Sequence, residues 1–321
     1  MKKIMCQIMG DLPKDRVLSS RPFLKTGIDF AGPIITKPNL KRTRVTTKSY
    51  IALFISFTTK AVHLEVVSEL STDSFLACLR RFISRRGKPS DIYTDNGSNF
   101  KGARNYLYSQ MEILKSASVQ DFASELFINW HFIPPSAPHF GGIWESNIKS
   151  MKQHLFKVCK SAVLNYEELS TLIIQIEACM NSRPVTPLSS DPNDLDPLTP
   201  GHFLIGAPLL AMPESYQAEN SLSYTSRFKL IQALREGFWR RWSAEYLTQL
   251  QQRSKWKSSN PNIKTGQLVL LKEDLKHPMK WSLGRVMETF PGDDGAVRVV
   301  QVKTTSGTFK RPITKIAPLP T

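Results

Sequence analysis

Three acidic residues stand where their type and setting could do chemistry. Asp29, in "TGIDFAGP", is a carboxylate inside an apolar, strand-like run, and strands are depleted in Asp. Asp95, in "YTDNGSNF", ends a short apolar run and precedes Asn-Gly. Glu145, in "GGIWESNIKSMK", opens an amphipathic stretch after two glycines. Each has a plain explanation: an edge or bulge position for Asp29, a hairpin turn for Asp95, the attraction of an acid to a helix N-terminus for Glu145. Against the hairpin, the "SNFKGARNYL" that follows reads as irregular or helical rather than as a return strand. Together, two acids at or near strand ends and one at a helix start could converge at one edge of an α/β sheet. Clustered carboxylates are costly unless a cation sits among them. Hard divalent ions prefer such oxygen ligands, and two ions about 4 Å apart can serve both the attacking and the leaving oxygen of a phosphoryl transfer.

The elements that must position these residues are legible from pattern. "RPFLKTGIDFAGPII" reads as a strand interrupted near Gly32-Pro33, and "SYIALFISFTTKAVHLEVV" as two strands joined near Thr58 to Lys60; β-branched and aromatic residues dominate both. "STDSFLACLRRFISRRGKP" has helical spacing, with Phe75, Leu76, Leu79, Phe82 and Ile83 on one face, Ser71 or Thr72 as cap and Gly87 as stop. "SDIYTD" and "FINWHF" are short strands. Two further helices are expected, one carrying Trp144, Ile148, Met151 and Leu155, the other running from about Tyr166 to Met180 with Asn165 as cap. Strands first, then strands alternating with helices, predict an α/β domain with a mixed sheet. Seven prolines between 184 and 213 mark an extended boundary region. A helix at about 225–252 follows, then short strands that predict a small all-β barrel.

Bulk properties agree with a polyanionic partner. The formal net charge is +16, and the residues from 221 onward hold 18 Lys and Arg against 7 Asp and Glu. A basic surface of this kind favours nucleic acid. The longest clean apolar run, "IALFISF", is far short of the about 20 residues of a membrane span, and the N-terminus does not read as a signal peptide. Four cysteines without a Cys-x-x-Cys argue for a reducing compartment and against a complete zinc finger.

"GIDFAGP", "YTDNGSNF" and "PPSAPHFGGIWESNIKSMK" resemble the three acidic motifs of retroviral-type integrases, most closely those of BEL/Pao long-terminal-repeat retrotransposons. "MGDLPKDRV", "FKGARNYL", "NSRPVTPLSSDPNDLDPLTPGHFLIGAPL" and "WSLGRVMETFPGDDGAVRVVQVKT" are similar to the same family, so the resemblance spans nearly the whole chain in order. It implies a ribonuclease H-like core with flanking helices, a helical connector and a small SH3-like barrel. The corresponding divisions are a lead-in at 1–21, a catalytic core at 22–183, a Pro-rich connector at 184–222, a helical segment at 223–260 and a basic C-terminal domain at 261–321. It implies Asp29, Asp95 and Glu145 as catalytic ligands of Mg²⁺ or Mn²⁺, two ions in all, and an enzyme that cuts element DNA ends and joins their 3′ hydroxyls to double-stranded target DNA. Alternatives are a catalytically inactive or domesticated nucleic-acid-binding protein, and a ribonuclease H-like nuclease. Partners would be DNA and further copies of the chain, with no membrane. The place of action would be the nucleus, after a cytoplasmic particle. The resemblance departs in two respects. The 49 residues between Asp95 and Glu145 exceed the retroviral interval, which fits an insertion around 101–126, and the family's N-terminal zinc module is missing from the sequence.

Candidate DNA contacts complete the reading. Lys149 and Lys152 lie at i+4 and i+7 from Glu145, on one helix face; they could hold a phosphate beside the metals, or form surface pairs. His139 could line the active-site loop. Lys280, Arg285, Arg298, Lys303, Lys310 and Arg311, with Lys272, could track phosphates from the C-terminal barrel. The run Arg80, Arg81, Arg85, Arg86 and Lys88 reads first as a solvated helix face, and Trp239 and Trp242 first as core.

Overall fold

The computed structural model describes residues 18–38, 45–115, 127–132, 142–159, 162–189, 191, 193–212, 227–251, 262–272 and 277–320, the side chains of 110–115 and 142–150 excepted. The first strands come from the β-branched runs: β1 Lys25–Lys37, β2 Thr47–Ser56 and β3 Val62–Val67, joined antiparallel. β1 breaks register between Ala31 and Ile34, at the expected Gly32-Pro33. A Cβ on Gly32 would fall 2.5 Å from the Tyr50 ring, so only glycine fits this close approach. β4 Asp91–Thr94 pairs parallel with β1, and β5 Asn129–Phe132 parallel with β4. The resulting order β3-β2-β1-β4-β5, with helices on both faces, is the ribonuclease H-like mixed sheet expected of the sequence. A two-residue strand, β6 Leu164–Asn165, adds to the far end of β1.

Period-2 alternation splits the strand residues between two cores. Ile28, Ala52 and Phe54 face α1 Thr72–Arg86 and α2 Ser98–Lys115, packing with Phe75, Leu79, Phe82, Phe100 and Ala103. Phe54 stacks on Phe82 at 4.2 Å between centroids. Ala31, Ile51, Leu53, Leu64 and Val66 face the other way, onto α3 Gly142–Cys159 and α4 Tyr166–Asn181. α1 starts at Ser71, whose side chain accepts from the Ser74 N–H, and stops at Gly87 with φ 83°. α4 starts at a reciprocal capping box between Asn165 and Glu168. Cys78, Cys159 and Cys179 are buried in these cores, and burial pushes each thiol up to about 12, so they act as small hydrophobes.

α4 also closes the outer edge of β3. Asn181 accepts from Val62 N–H and donates to Val62 O at 2.8 and 2.7 Å; Glu177 accepts from Leu64 N–H at 2.8 Å; Tyr166 donates to Val66 O at 3.1 Å. Side chains thus satisfy backbone groups that an edge strand would leave open.

The Pro-rich stretch is more ordered than its composition predicts. β7 Thr186–Pro187 pairs with β8 Pro197–Leu198, and a short helix, α5 Pro200–Ile205, follows with Pro200 in its first turn; there the missing N–H of proline has no consequence. α6 Arg227–Leu250 then packs Leu230, Leu234, Phe238, Trp239 and Trp242 into the core shared by α3 and α4. Trp239 is fully buried, as its core reading required. The C-terminal strands β9 Leu268–Leu271, β10 Leu283–Pro291, β11 Val297–Thr304, β12 Gly307–Pro312 and β13 Ile316–Pro318 form one antiparallel sheet ordered β12-β11-β10-β9-β13. It is a curled half-barrel whose terminal strands do not pair with each other among the described residues. Leu247 and Leu250 of α6 pack against Leu268, Leu270 and Ala317 of this sheet, and Trp281 sits at the same junction.

Candidate active site

Asp29 lies within β1, opposite Leu53 of β2, and so on the sheet face that α3 covers. The parallel pairing of β1 with β4 runs Lys25↔Asp91, Thr26↔Ile92, Gly27↔Tyr93. Carried two residues further, that register would set Asp95 level with Asp29 on the neighbouring strand, where strands stand about 4.8 Å apart. Asp95 is the first residue beyond β4 and is exposed. Its Oδ1 accepts from the Gly97 N–H at 2.9 Å, a local turn closed by the side chain. The chain then enters α2 at Ser98 and does not return as a hairpin. A Cβ on Gly97 would lie 3.1 Å from Asp95 Oδ1 and 2.8 Å from Asn99 Oδ1, so the bare backbone is what lets the carboxylate fold over.

α3 contributes the third element. Met151 and Leu155, both fully buried, anchor it on the sheet. Lys152, between them in sequence, reaches the site: its Nζ lies 2.7 Å from Asp29 Oδ2, with the side chains 25% and 28% exposed. Asp29 Oδ1 accepts from the Phe30 N–H at 2.7 Å. Glu145 belongs to α3 two turns before Lys152, and Lys149 lies between them; both side chains fall outside the described residues, as does all of His139. Among the described residues no three His, Cys, Asp or Glu side chains form a metal-binding group. The donors present nonetheless suit a hard divalent ion: Asp29 and Asp95 offer carboxylate oxygens, and Asp29 Oδ2 already accommodates a cation, the Lys152 ammonium.

The basic residues of the C-terminal sheet separate into kinds. Arg285 is 4% exposed and donates to the carbonyls of Gly266 and Asp194 at 2.9 and 2.5 Å. It fastens the sheet to the loop before β8, and its expected phosphate contact is corrected to a structural one. Arg298 forms a two-pronged pair with Asp294, at 2.9 and 2.6 Å. Lys303 donates to Asn193 at 3.0 Å. Lys280 is exposed. Lys310 is exposed with its Nζ 4.4 Å from the Phe290 ring centroid, and Arg311 lies 5.2 Å from that of Phe309.

The arginine run of α1 is used differently from a plain solvated face. Arg81 and Arg85 pair with Glu65 of β3, and Arg86 pairs with Glu177 of α4 at 2.5 Å. His63, 1% exposed, lies between the two acids, 3.3 Å from Glu65 and 3.2 Å from Glu177. Burial would raise Glu177, but the His63 hydrogen bond and charge, the Leu64 N–H and the Arg86 charge outweigh it and hold the carboxyl below its ordinary range. The sequence carried one signal for this cluster: Glu177 and Asn181, polar at i and i+4, interrupt the apolar face of α4.

A family model described as a family of unknown function (DUF5641) matches residues 226–319, which are α6 and the C-terminal sheet. Comparison with curated proteins returns no match. Among solved structures, the chain is similar to a simian T-cell lymphotropic virus intasome in complex with the PP2A regulatory subunit B56 gamma, at 14% identity and a TM-score of 0.38, over 94% of this chain and 80% of that one. It is similar to the HTLV-2 integrase catalytic core domain in complex with magnesium, in its dimeric form, at 17% identity and a TM-score of 0.33, over 50% and 88% of the two chains. It is similar to the BIV integrase catalytic core domain at 15% identity and a TM-score of 0.35, over 57% and 95%. TM-scores this low leave the fold to be read from the chain's own sheet order and register.

Proposed function

We propose that the chain is a metal-dependent polynucleotidyl transferase that joins the 3′ hydroxyls of DNA ends to target DNA, an integrase of the BEL/Pao retrotransposon type. The observation that carries this reading is the parallel β1–β4 register, paired as far as Gly27↔Tyr93; extended two residues, it would set Asp29 and Asp95 level with each other. The sequence motifs around them, and around Glu145 on α3, support it.

In this reading Asp29, Asp95 and Glu145 hold Mg²⁺ or Mn²⁺, two ions together. When bound, they supply activation of the attacking oxygen and charge neutralisation at the leaving one. The protein's own part is orientation: β1 carries Asp29, the turn after β4 carries Asp95, and α3, locked by Met151 and Leu155, brings Lys152 to Asp29. Lys149 and His139 would contact DNA near the site. The exposed Lys280 and Lys310, with Arg311, would hold phosphates further out without reading sequence. Double-stranded DNA is the partner. Joining two ends at once needs two active sites and hence a multimer. Action on chromosomal DNA places that step in the nucleus, after a cytoplasmic particle.

One observation favours a second reading, a chain that binds nucleic acid without catalysis: the Lys152 ammonium already engages Asp29. A single assay decides between them. The purified chain is offered a labelled duplex end with a free 3′ hydroxyl, a target duplex and Mg²⁺. Joined product is the expected result. Cleaved target without joining would instead make the chain a ribonuclease H-like nuclease, and retention of both duplexes intact would leave a binding protein.

A further inference from the structure

The Lys152–Asp29 pair has a consequence that rests on the reading of Asp29 as a metal ligand. Of the two Asp29 oxygens, Oδ1 is engaged by the Phe30 N–H, and Oδ2 is the one Lys152 occupies. An ammonium and a divalent ion at one carboxylate oxygen repel each other, so the two compete for Oδ2. The backbone of Lys152 cannot retreat, because its neighbours in α3, Met151 and Leu155, are fully buried in the core under the sheet. The side chain can retreat: a four-carbon stem with a quarter of its surface exposed has other rotamers available.

We propose that Lys152 is the resident counter-ion of the site. It neutralises Asp29 while no divalent ion is bound, yields Oδ2 when one enters, and turns its ammonium to the phosphate of an incoming nucleic acid. Metal loading and nucleic-acid binding are thereby coupled through one side chain. A phosphate that draws Lys152 away from Asp29 raises the affinity for the metal, and by linkage the metal raises the affinity for the phosphate. The ion pair also keeps Asp29 from standing as an unpaired charge in the absence of metal.

The test is Mn²⁺ binding by the full chain, followed through the electron paramagnetic resonance signal of free Mn²⁺ at low ionic strength. It compares wild type, Lys152→Met, Lys152→Arg and Asp29→Asn, with and without a DNA duplex that lacks a free 3′ hydroxyl. Without DNA, Lys152→Met is expected to bind Mn²⁺ about threefold or more tightly than wild type, because both competition and repulsion are removed. Lys152→Arg, which keeps the charge, stays within about twofold of wild type. Adding the duplex tightens Mn²⁺ binding in wild type and no longer does so in Lys152→Met. Thermal unfolding in EDTA gives a lower Tm for Lys152→Met than for wild type. Unchanged or weaker Mn²⁺ binding by Lys152→Met, where wild type binds Mn²⁺ and Asp29→Asn does not, overturns the counter-ion role and leaves the metal site standing. A wild-type chain that takes up no Mn²⁺, or an Asp29→Asn variant that binds it as wild type does, overturns the metal reading and this inference together.

Discussion

Trp281, just before β10, stands edge-on to Trp239 in the middle of α6, with 4.8 Å between ring centroids. Trp242 and Tyr246 close the same cluster at 6.1 and 5.6 Å from Trp281. Around it, Tyr246 donates its hydroxyl to Pro184 O, and Gln251 donates to the carbonyls of Thr314 and Ile316. Aromatic clustering therefore holds the basic sheet against the helix that packs on the core. Trp281→Ala is expected to destabilise the protein by about 2 kcal/mol, less than a fully buried tryptophan because the ring is partly exposed. Hydrogen exchange should show protection lost in β9–β13 before β1–β3. Equal loss in both sheets would remove the role given to Trp281.

The three proposed catalytic acids make the sharpest functional prediction. Asp29→Asn, Asp95→Asn and Glu145→Gln should each abolish joining while the salt-dependent affinity for duplex DNA stays near wild type. Gel-shift titrations at several salt concentrations, run beside the joining assay, separate the two effects. Joining that survives any one of the three substitutions would take that residue out of the site.

Basic residues of the C-terminal sheet should divide by burial. Lys310→Ala and Lys280→Ala should weaken DNA binding across sequences and each reduce the salt slope by about one. Arg285→Ala should leave the slope unchanged and instead cost about 2 kcal/mol of stability, because it strips hydrogen bonds from the carbonyls of Gly266 and Asp194. Denaturant unfolding of Arg285→Ala checks the second half.

Glu177 sets a pH dependence. Its folded carboxyl titrates below its ordinary value. The folded state thus holds fewer protons than the unfolded chain near the unfolded pKa, and stability rises with pH there. The contribution is complete above the unfolded value and is lost as pH falls through the lower folded one. Glu177→Gln should cost about 3 kcal/mol at neutral pH, since it leaves Arg86 without its partner and breaks a buried cluster. The gap to wild type should close on acidification. A gap that persists in acid would assign the loss to packing.

Locally encoded features were legible in the sequence. β-Branched and aromatic runs marked the first strands, Ser71 or Thr72 and Asn165 stood as candidate caps, and the acids stood out because Asp is rare in strands and a second one precedes Asn-Gly. What was not legible depended on distant partners. Pro200 reads as a breaker until its place in the first turn of α5 is known. Arg285 counts as a free charge until Asp194 is found against it. The pairing of Lys152 with Asp29 joins residues 123 positions apart, and i+7 spacing from Glu145 gave only its helix face. The arginines of α1 looked solvated because Glu65 and Glu177 come from other elements.

The clasp that Asn181, Glu177 and Tyr166 make on β3 constrains how copies of this chain could meet. A second molecule arriving at that margin finds both backbone groups of Val62, the Leu64 N–H and the Val66 carbonyl already spoken for, which opposes the zipping of two protomers into one continuous ribbon there. At this flank, contact between copies would run through side-chain surfaces, and the margin is guarded against the runaway strand addition that turns open sheets into fibres.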